Sequence, residues 1–171
     1  KQGDDQALAA LLKDMEAGSV DALVVVGANP VYDLPATFRE AFAKVPLRVG
    51  LATFPDETTE VCTHLAPDHH WLEAWRDAEP VAGTLSLAQP LMNPLYGTRD
   101  ALESFLAWGG RPQAALEHLQ QRWKQEVLPK AGTAIDFQAF WNAVLQKGAV
   151  QLGSSAPAPT YREDAGRSAK E

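Results

Sequence analysis

The run from Val20 to Pro30 constrains the fold of this chain more than any other stretch. Four consecutive apolar residues, Leu23 to Val26, are rich in β-branched side chains and end at Gly27-Ala28-Asn29-Pro30. A short apolar run closed by turn residues is typical of a buried strand in a parallel sheet. Because open α/β sheets bind ligands at the carboxyl ends of their strands, the loop that follows is a candidate binding site.

Helical and strand patterns alternate over the first 67 residues. Helical spacing over residues 8–15 precedes this strand, and residues 38–45 and 47–53 predict a second helix and a second strand. Residues 56–59 and 63–66 predict a short helix and a third strand. This order predicts an α/β fold, with a Rossmann-like parallel sheet of about three or four strands flanked by helices.

The pattern changes after residue 67. Residues 68–99 are rich in proline and tryptophan with little periodicity, which predicts a long irregular loop. Helical spacing returns between residues 102 and 147, so the C-terminal half is predicted to be helical. We therefore predict an α/β domain over residues 1–150 and a flexible tail over residues 151–171, whose end is rich in Ser, Ala, Pro and charge.

Composition excludes several classes of function. The net charge of −7 over 171 residues argues against nucleic acid as a partner. The sequence contains no apolar run of membrane-spanning length, so no direct membrane insertion is expected. The single cysteine, Cys62, excludes an iron–sulfur cluster held by this chain alone. The chain starts at Lys1 rather than Met, so we expect a processed protein or a piece of a longer one.

Two polar groupings have both a functional and a structural interpretation. Residues 68–70, Asp-His-His, together with Glu73 form the densest cluster of groups able to bind a metal; the alternative is a loop of solvated polar side chains. Cys62 and His64 could pair as a nucleophile and base, but no orienting carboxylate is evident, and a buried thiol is the commoner outcome.

Several short motifs, taken in order, resemble the molybdopterin oxidoreductase family. They are Val-Gly-Ala-Asn-Pro at 26–30, Thr-Phe-Pro-Asp-Glu-Thr at 53–58, Leu-Ala-Pro at 65–67 and Trp-Leu-Glu at 71–73. The stretches 72–77, 86–91 and 94–97 are most similar to the molybdopterin-like B subunit of alternative complex III, a membrane quinol:electron-acceptor oxidoreductase. The resemblance covers roughly residues 20–150.

The resemblance implies a set of cofactor-binding residues. In that family, one α/β domain of a large subunit forms part of the binding site for a molybdopterin guanine dinucleotide. Two departures from the family pattern are Ala52, where an acidic residue is frequent, and residues 77–83, which replace an Asn-x-Glu-Gly-Arg run. The positions that match cofactor-binding residues are Gly27, Ala28, Asn29, Thr53, Asp56, Glu57 and Thr58, in loops near the nucleotide, and Glu73, which matches the glutamate after the third strand.

The function implied by the resemblance is that of a part of a respiratory oxidoreductase subunit. The segment either holds the dinucleotide or is a cofactor-free scaffold derived from such a domain. Its implied partners are other segments of the same subunit and the iron–sulfur and membrane subunits of an electron-transfer complex. The fragment would be membrane-associated through them, soluble alone, and without redox activity in isolation. The alternative is a free-standing nucleotide-sensing or protein-interaction module.

Overall fold

The computed structural model of the chain describes residues 4–153. These residues divide into two compact units, which are described separately. Within the described residues, the first unit comprises residues 4–76 and 89–119, and the second unit comprises residues 77–88 and 120–153. The domain boundary at residue 150 stays a prediction, and the predicted tail lies outside the described residues from position 154 onward.

The first unit contains the predicted alternation of helices and strands. Its three strands form a parallel sheet in the order β1-β2-β3, which confirms the α/β fold. In chain order its elements are α1 (Asp5–Glu16), β1 (Ala22–Val26), α2 (Pro30–Asp33), α3 (Ala36–Ala43), β2 (Leu47–Leu51), α4 (Glu57–Glu60), β3 (His64–Leu65), a 3₁₀ turn (Trp71–Glu73), α5 (Ala101–Trp108) and α6 (Ala115–Arg122), whose last residues belong to the second unit.

The core of the first unit lies between one face of the sheet and helices α1 and α3. Leu23 and Val25 point from β1 into this core. The helix α1 begins at an Asp4 cap, and proline at position 46 prevents α3 from continuing. The buried residues of this core are Met15, Phe38, Ala41, Phe42 and Val45.

The strand β1 is buried on one face rather than on both. Its residues alternate between partly buried and exposed, and Val24 and Val26 are 38% and 43% exposed. The prediction of a strand is confirmed, but the prediction that it is buried is wrong for the face that carries these two valines. The exposure of this face is unusual, because parallel sheets are ordinarily covered on both sides.

Gly50 in β2 allows a close approach on the covered face. A Cβ atom at this position would lie 3.2 Å from the Cys62 Sγ atom and 3.3 Å from the Thr59 side chain. These separations are shorter than ordinary van der Waals contact between carbon and its neighbours. A larger residue at position 50 would therefore require the side chains of Thr59 in α4 and Cys62 after it to shift by a few tenths of an ångström.

The second unit is built around an antiparallel strand pair and one long helix. Its strands are ordered β4-β5-β6, and β5 pairs antiparallel with β6. The buried residues include Trp123, which is in ring contact with Phe140 and Trp141. The elements are β4 (Arg76–Val81, whose first residue belongs to the first unit), β5 (Thr84–Ala88), a π turn (Trp123–Val127), a 3₁₀ turn (Leu128–Ala131), α7 (Phe137–Lys147) and β6 (Ala149–Gln151).

The prediction that residues 68–99 form one irregular loop is wrong over β4 and β5. These two strands are joined through Ala82 and Gly83, and Gly83 has a φ of +80°, which favours glycine. The three predicted helices between residues 102 and 147 are confirmed as α5, α6 and α7. Within residues 4–153, every helix falls short of the length and apolar character needed to cross a membrane.

Candidate functional site

The loops at the carboxyl ends of β1 and β2 meet through the side chain of Asn29. Its Oδ1 atom accepts hydrogen bonds from the Thr58 hydroxyl (2.8 Å) and the Thr58 backbone N–H (3.2 Å). Its Nδ2 atom donates to Glu57 Oε2 at 2.6 Å. The Thr58 hydroxyl in turn accepts a bond from the Val31 N–H at 3.0 Å. The resulting network, which we call the Asn29 network, consists of Asn29, Val31, Glu57 and Thr58.

The Glu57 carboxylate gives this network a negative charge. The hydrogen bond from Asn29 and a further bond from its own backbone N–H lower the pKa of Glu57 below the ordinary glutamate value. The side chain is exposed, so Glu57 is ionised at neutral pH. An ionised carboxylate beside this loop opposes the binding of a phosphate group there.

The remaining predicted residues of these two loops differ in their availability. Gly27 has a φ of +57°, and its N–H donates to the Leu51 carbonyl at 3.0 Å. Asp56 caps α4 by accepting a bond from the Thr59 N–H at 2.7 Å. Within the described residues, the Ala28 and Asn29 N–H groups and the Thr53 hydroxyl make no hydrogen bond, and these three groups remain open to a ligand.

Glu73 belongs to a separate group of contacts. Its carboxylate accepts hydrogen bonds from the His70 N–H and the Leu95 N–H, each at 3.0 Å. The Leu95 bond is the first cause that lowers the pKa of Glu73, and the bond from His70 and the charges of His69 and His70 act in the same direction. Glu73 therefore fixes the chain around Leu95 against the 3₁₀ turn that contains it.

The cavity at the end of β2 is small. It has a volume of ≈ 90 Å³ and is lined mainly by apolar side chains, among them Phe54, Leu65 and Pro67. Sites for cofactors and drug-sized ligands usually have volumes of about 300–1,000 Å³. This cavity is therefore too small by itself to hold a dinucleotide.

A larger cavity, which the sequence did not indicate, lies in the second unit. Its volume is ≈ 560 Å³, and its lining includes charged residues of both signs, namely Glu79, Arg122, Glu126 and Lys130. Arg122 is already paired with Asp77 at 2.6 Å and lies 3.5 Å from Glu126. Because these residues are scattered in the sequence and of mixed charge, only the fold brings them to one place.

The alternative metal site around residues 68–73 gains no support. Asp68 accepts a bond from the Ala101 N–H at 2.7 Å and lies 3.5 Å from the Arg76 guanidinium, and His69 Nδ1 lies 2.6 Å from the Thr98 hydroxyl. Across residues 4–153, no three His, Cys, Asp or Glu side chains are grouped so as to hold a metal ion. Asp68 serves instead to join distant parts of the first unit.

The alternative Cys62–His64 pair is not formed either. The His64 Nδ1 atom lies 3.1 Å from the Thr63 hydroxyl. Burial raises the pKa of the Cys62 thiol, which disfavours the reactive thiolate form. The structural interpretation of Cys62 as a partly buried thiol is therefore the one the structure supports.

Replacing Asn29 with alanine is expected to lower the free energy of unfolding by about 1–2 kcal/mol, because the buried Thr58 hydroxyl loses a partner. The same change should raise the pKa of Glu57 toward its ordinary value. A lowered pKa means that Glu57 adds stability above its unfolded pKa, and this is lost as the pH falls through the folded pKa. Urea unfolding and an NMR titration of the Glu57 carboxyl carbon would measure the two effects.

Asn93 provides the matched control for this variant, since it is exposed in the same unit. Asn93→Ala should change neither stability nor the Glu57 titration. An unchanged Glu57 titration in the Asn29→Ala variant would contradict the role given to the Asn29 amide.

Replacing Glu73 with alanine is expected to speed hydrogen exchange at the Leu95 and His70 amides several-fold, because each loses a carboxylate acceptor. Exchange followed by NMR would show this, and Glu60→Ala, which removes an exposed carboxylate from α4, is the control. Unaltered exchange at Leu95 would mean that this carboxylate does not hold the loop.

The fold is that of an α/β chain with loops at the carboxyl ends of its parallel strands, the position where open α/β sheets bind ligands. No family model matches the sequence. The chain is 34% identical over 116 residues to the menaquinone reductase, molybdopterin-binding-like subunit of Nitratidesulfovibrio vulgaris (strain Hildenborough). That similarity confirms the resemblance to a molybdopterin-like subunit of a quinol oxidoreductase. The match covers 64% of this chain and only 17% of the relative, so the chain spans about a sixth of that protein's length.

Proposed function

We propose that this chain is a segment of a large molybdopterin-like subunit of a respiratory quinol oxidoreductase, in which it acts as a cofactor-free scaffold. The Asn29 network is the observation that carries the scaffold role. It joins the two loops where a nucleotide would otherwise lie, and it uses the Asn29 amide and the Thr58 hydroxyl to do so. The similarity to a subunit of a menaquinone reductase supports the respiratory setting.

The physical argument concerns competition between the ligand and the network. A nucleotide that used Asn29 or Thr58 would have to break bonds that satisfy a buried hydroxyl, and this costs free energy that the ligand must replace. The ionised Glu57 adds repulsion toward phosphates. The cost of breaking these bonds and the repulsion from Glu57 both weaken nucleotide binding. Both are compatible with a structural role, in which the network joins the loops after β1 and β2.

The partners in this proposal are other segments of the same subunit and the iron–sulfur and membrane subunits of the complex. The chain would be held at the membrane through them. The long remainder of the related protein, of which this chain spans 17%, supports a role as one segment among several.

Weak nucleotide binding is a second candidate, favoured by the open N–H groups of Ala28 and Asn29 and the Thr53 hydroxyl. In that case guanine nucleotide would lie across the ends of β1 and β2, and Gly27, Asp56 and Glu57 would line its site. This role would suit either a dinucleotide-binding segment or a free-standing nucleotide-sensing module.

A titration of GDP into isotope-labelled chain, followed by amide NMR shifts, separates these functions. The scaffold role predicts no saturable shifts at millimolar GDP. Saturable shifts confined to residues 27–29 and 53–58 would overturn it in favour of nucleotide binding, and ADP serves as the control for the base. Co-purification of the tagged chain with iron–sulfur or membrane proteins tests the respiratory setting independently, since a free-standing module would be recovered without them.

A further inference from the structure

The parallel sheet of the first unit has one apolar face, opposite the core with α1 and α3, that is exposed over much of its area. In register, Ala22 and Val24 of β1 lie beside Leu47 and Val49 of β2, and these four side chains with Val26 share the face opposite Leu23 and Val25. Leu51, the partner of Val26 on this face, is 1% exposed, so the face is covered at that end of β2 and open over the other five residues. Leu47 is 41% exposed, similar to Val24 and Val26. We call this surface, formed by Ala22, Val24, Val26, Leu47 and Val49, the open sheet face.

The sequence of β1 is that of a strand buried on both sides. A strand with one solvent-facing side alternates apolar and polar residues, whereas β1 reads Ala-Leu-Val-Val-Val without a polar residue. The open sheet face carries no charged side chain, although 22% of the residues in this chain are charged. An uncharged apolar face on a parallel sheet is typical of a surface that packs against another structural element.

We propose that the open sheet face is the docking surface for an amphipathic helix supplied by another segment of the same large subunit. The inference rests on the proposed function and adds to it the place where the segments meet. Parallel sheets are covered by helices on both faces, and here α1 and α3 cover only one. The related subunit extends far beyond the part that this chain matches, which spans 17% of its length, so it has chain enough to supply the second layer.

The chemistry of the occupant follows from the face. A helix with an apolar stripe of Leu, Ile, Val or Ala would remove the exposed parts of Val24, Val26 and Leu47 from water. A charged residue placed on this face would be buried without a partner once the helix docks, and it would oppose docking strongly. The same charge costs little while the face is exposed.

This difference between the isolated and the assembled chain defines the test. Val24→Lys and Val26→Lys are made in the full chain and in the chain co-expressed with the remainder of its parent subunit. In the isolated chain each should shift the melting temperature by no more than about 3 °C. In co-expression each should reduce recovery of the chain with the remainder at least about tenfold. Val81→Lys, an exposed valine of β4, is the matched control and should leave recovery unchanged.

Three results would overturn the inference. If both lysine variants are recovered with the remainder as well as the wild-type chain is, the open sheet face is not the docking surface. The proposed function would still stand in that case, because the wild-type chain associates with the remainder. Unfolding of the isolated Val26→Lys chain would show that the face is already covered. A wild-type dimer that Val26→Lys converts to monomer would assign the face to a second copy of the chain. Failure of the wild-type chain itself to associate with the remainder would instead reject the proposed function.

Discussion

Replacement of Arg76 with methionine is expected to lower the free energy of unfolding of the first unit by about 3 kcal/mol. The Asp100 side chain is 2% exposed and pairs with the Arg76 guanidinium, which also lies 3.5 Å from Asp68. Methionine keeps much of the side-chain volume but leaves a buried carboxylate without its counter-charge. Because the Arg76 side chain is itself 36% exposed, we expect the low end of the effect of breaking a buried pair.

Urea unfolding followed by hydrogen exchange in β1 and β2 would measure this loss. Arg39→Met is the matched control, since Arg39 is an exposed cation on α3 of the same unit and makes no ion pair within the described residues. It should change stability by no more than about 0.5 kcal/mol. Equal losses in the two variants would show that a general change of charge, rather than the Asp100 pair, is responsible.

Replacement of Asp77 with alanine is expected to lower the free energy of unfolding of the second unit by about 2 kcal/mol. Asp77 Oδ2 accepts hydrogen bonds from Arg122 at 2.6 Å and from the Trp123 indole N–H at 2.7 Å. Trp123 is fully buried, so its N–H cannot turn to water when the carboxylate is removed. Asp77→Asn keeps an oxygen acceptor and should lose less.

A double-mutant cycle with Trp123→Phe isolates the indole bond. Phenylalanine has no N–H, so the cost of Asp77→Ala should fall by about 1 kcal/mol or more in that background. Hydrogen exchange in α7 during urea unfolding would measure the free energy of unfolding of the second unit in the wild type, the two single variants and the double variant. Strict additivity of the two substitutions would contradict the importance of the indole bond.

Local signals in the sequence were sufficient to predict most helices and the parallel sheet. The helix α7 begins at an Asp136 cap and ends at Gly148, which has a φ of +76°, and both signals can be found from residue type and spacing. The strands β4 and β6 could not be predicted in this way. β4 contains Pro80 and charged residues, and the sheet it joins pairs Thr84 with Gln151, which is 67 positions away.

The candidate site was predictable in position but not in its bonding. Carboxyl ends of parallel strands meet at one edge of a sheet, so the approach of Asn29 to Glu57 and Thr58 follows from the order of the elements. Amide and hydroxyl groups serve equally well to bind a ligand or to bind each other. Only the distances between them show that the Asn29 network is closed.

The close approach of Gly50 to Cys62 makes the only thiol of this chain an internal reporter of opening. The Sγ atom is packed against β2, and burial raises the pKa of the thiol, so alkylating reagents should modify it slowly in the closed protein. When the segment after α4 separates from the sheet, the partly buried thiol becomes more accessible and ionises more readily. The alkylation rate of Cys62 therefore reports local opening of the first unit, and it does not report opening of the second unit.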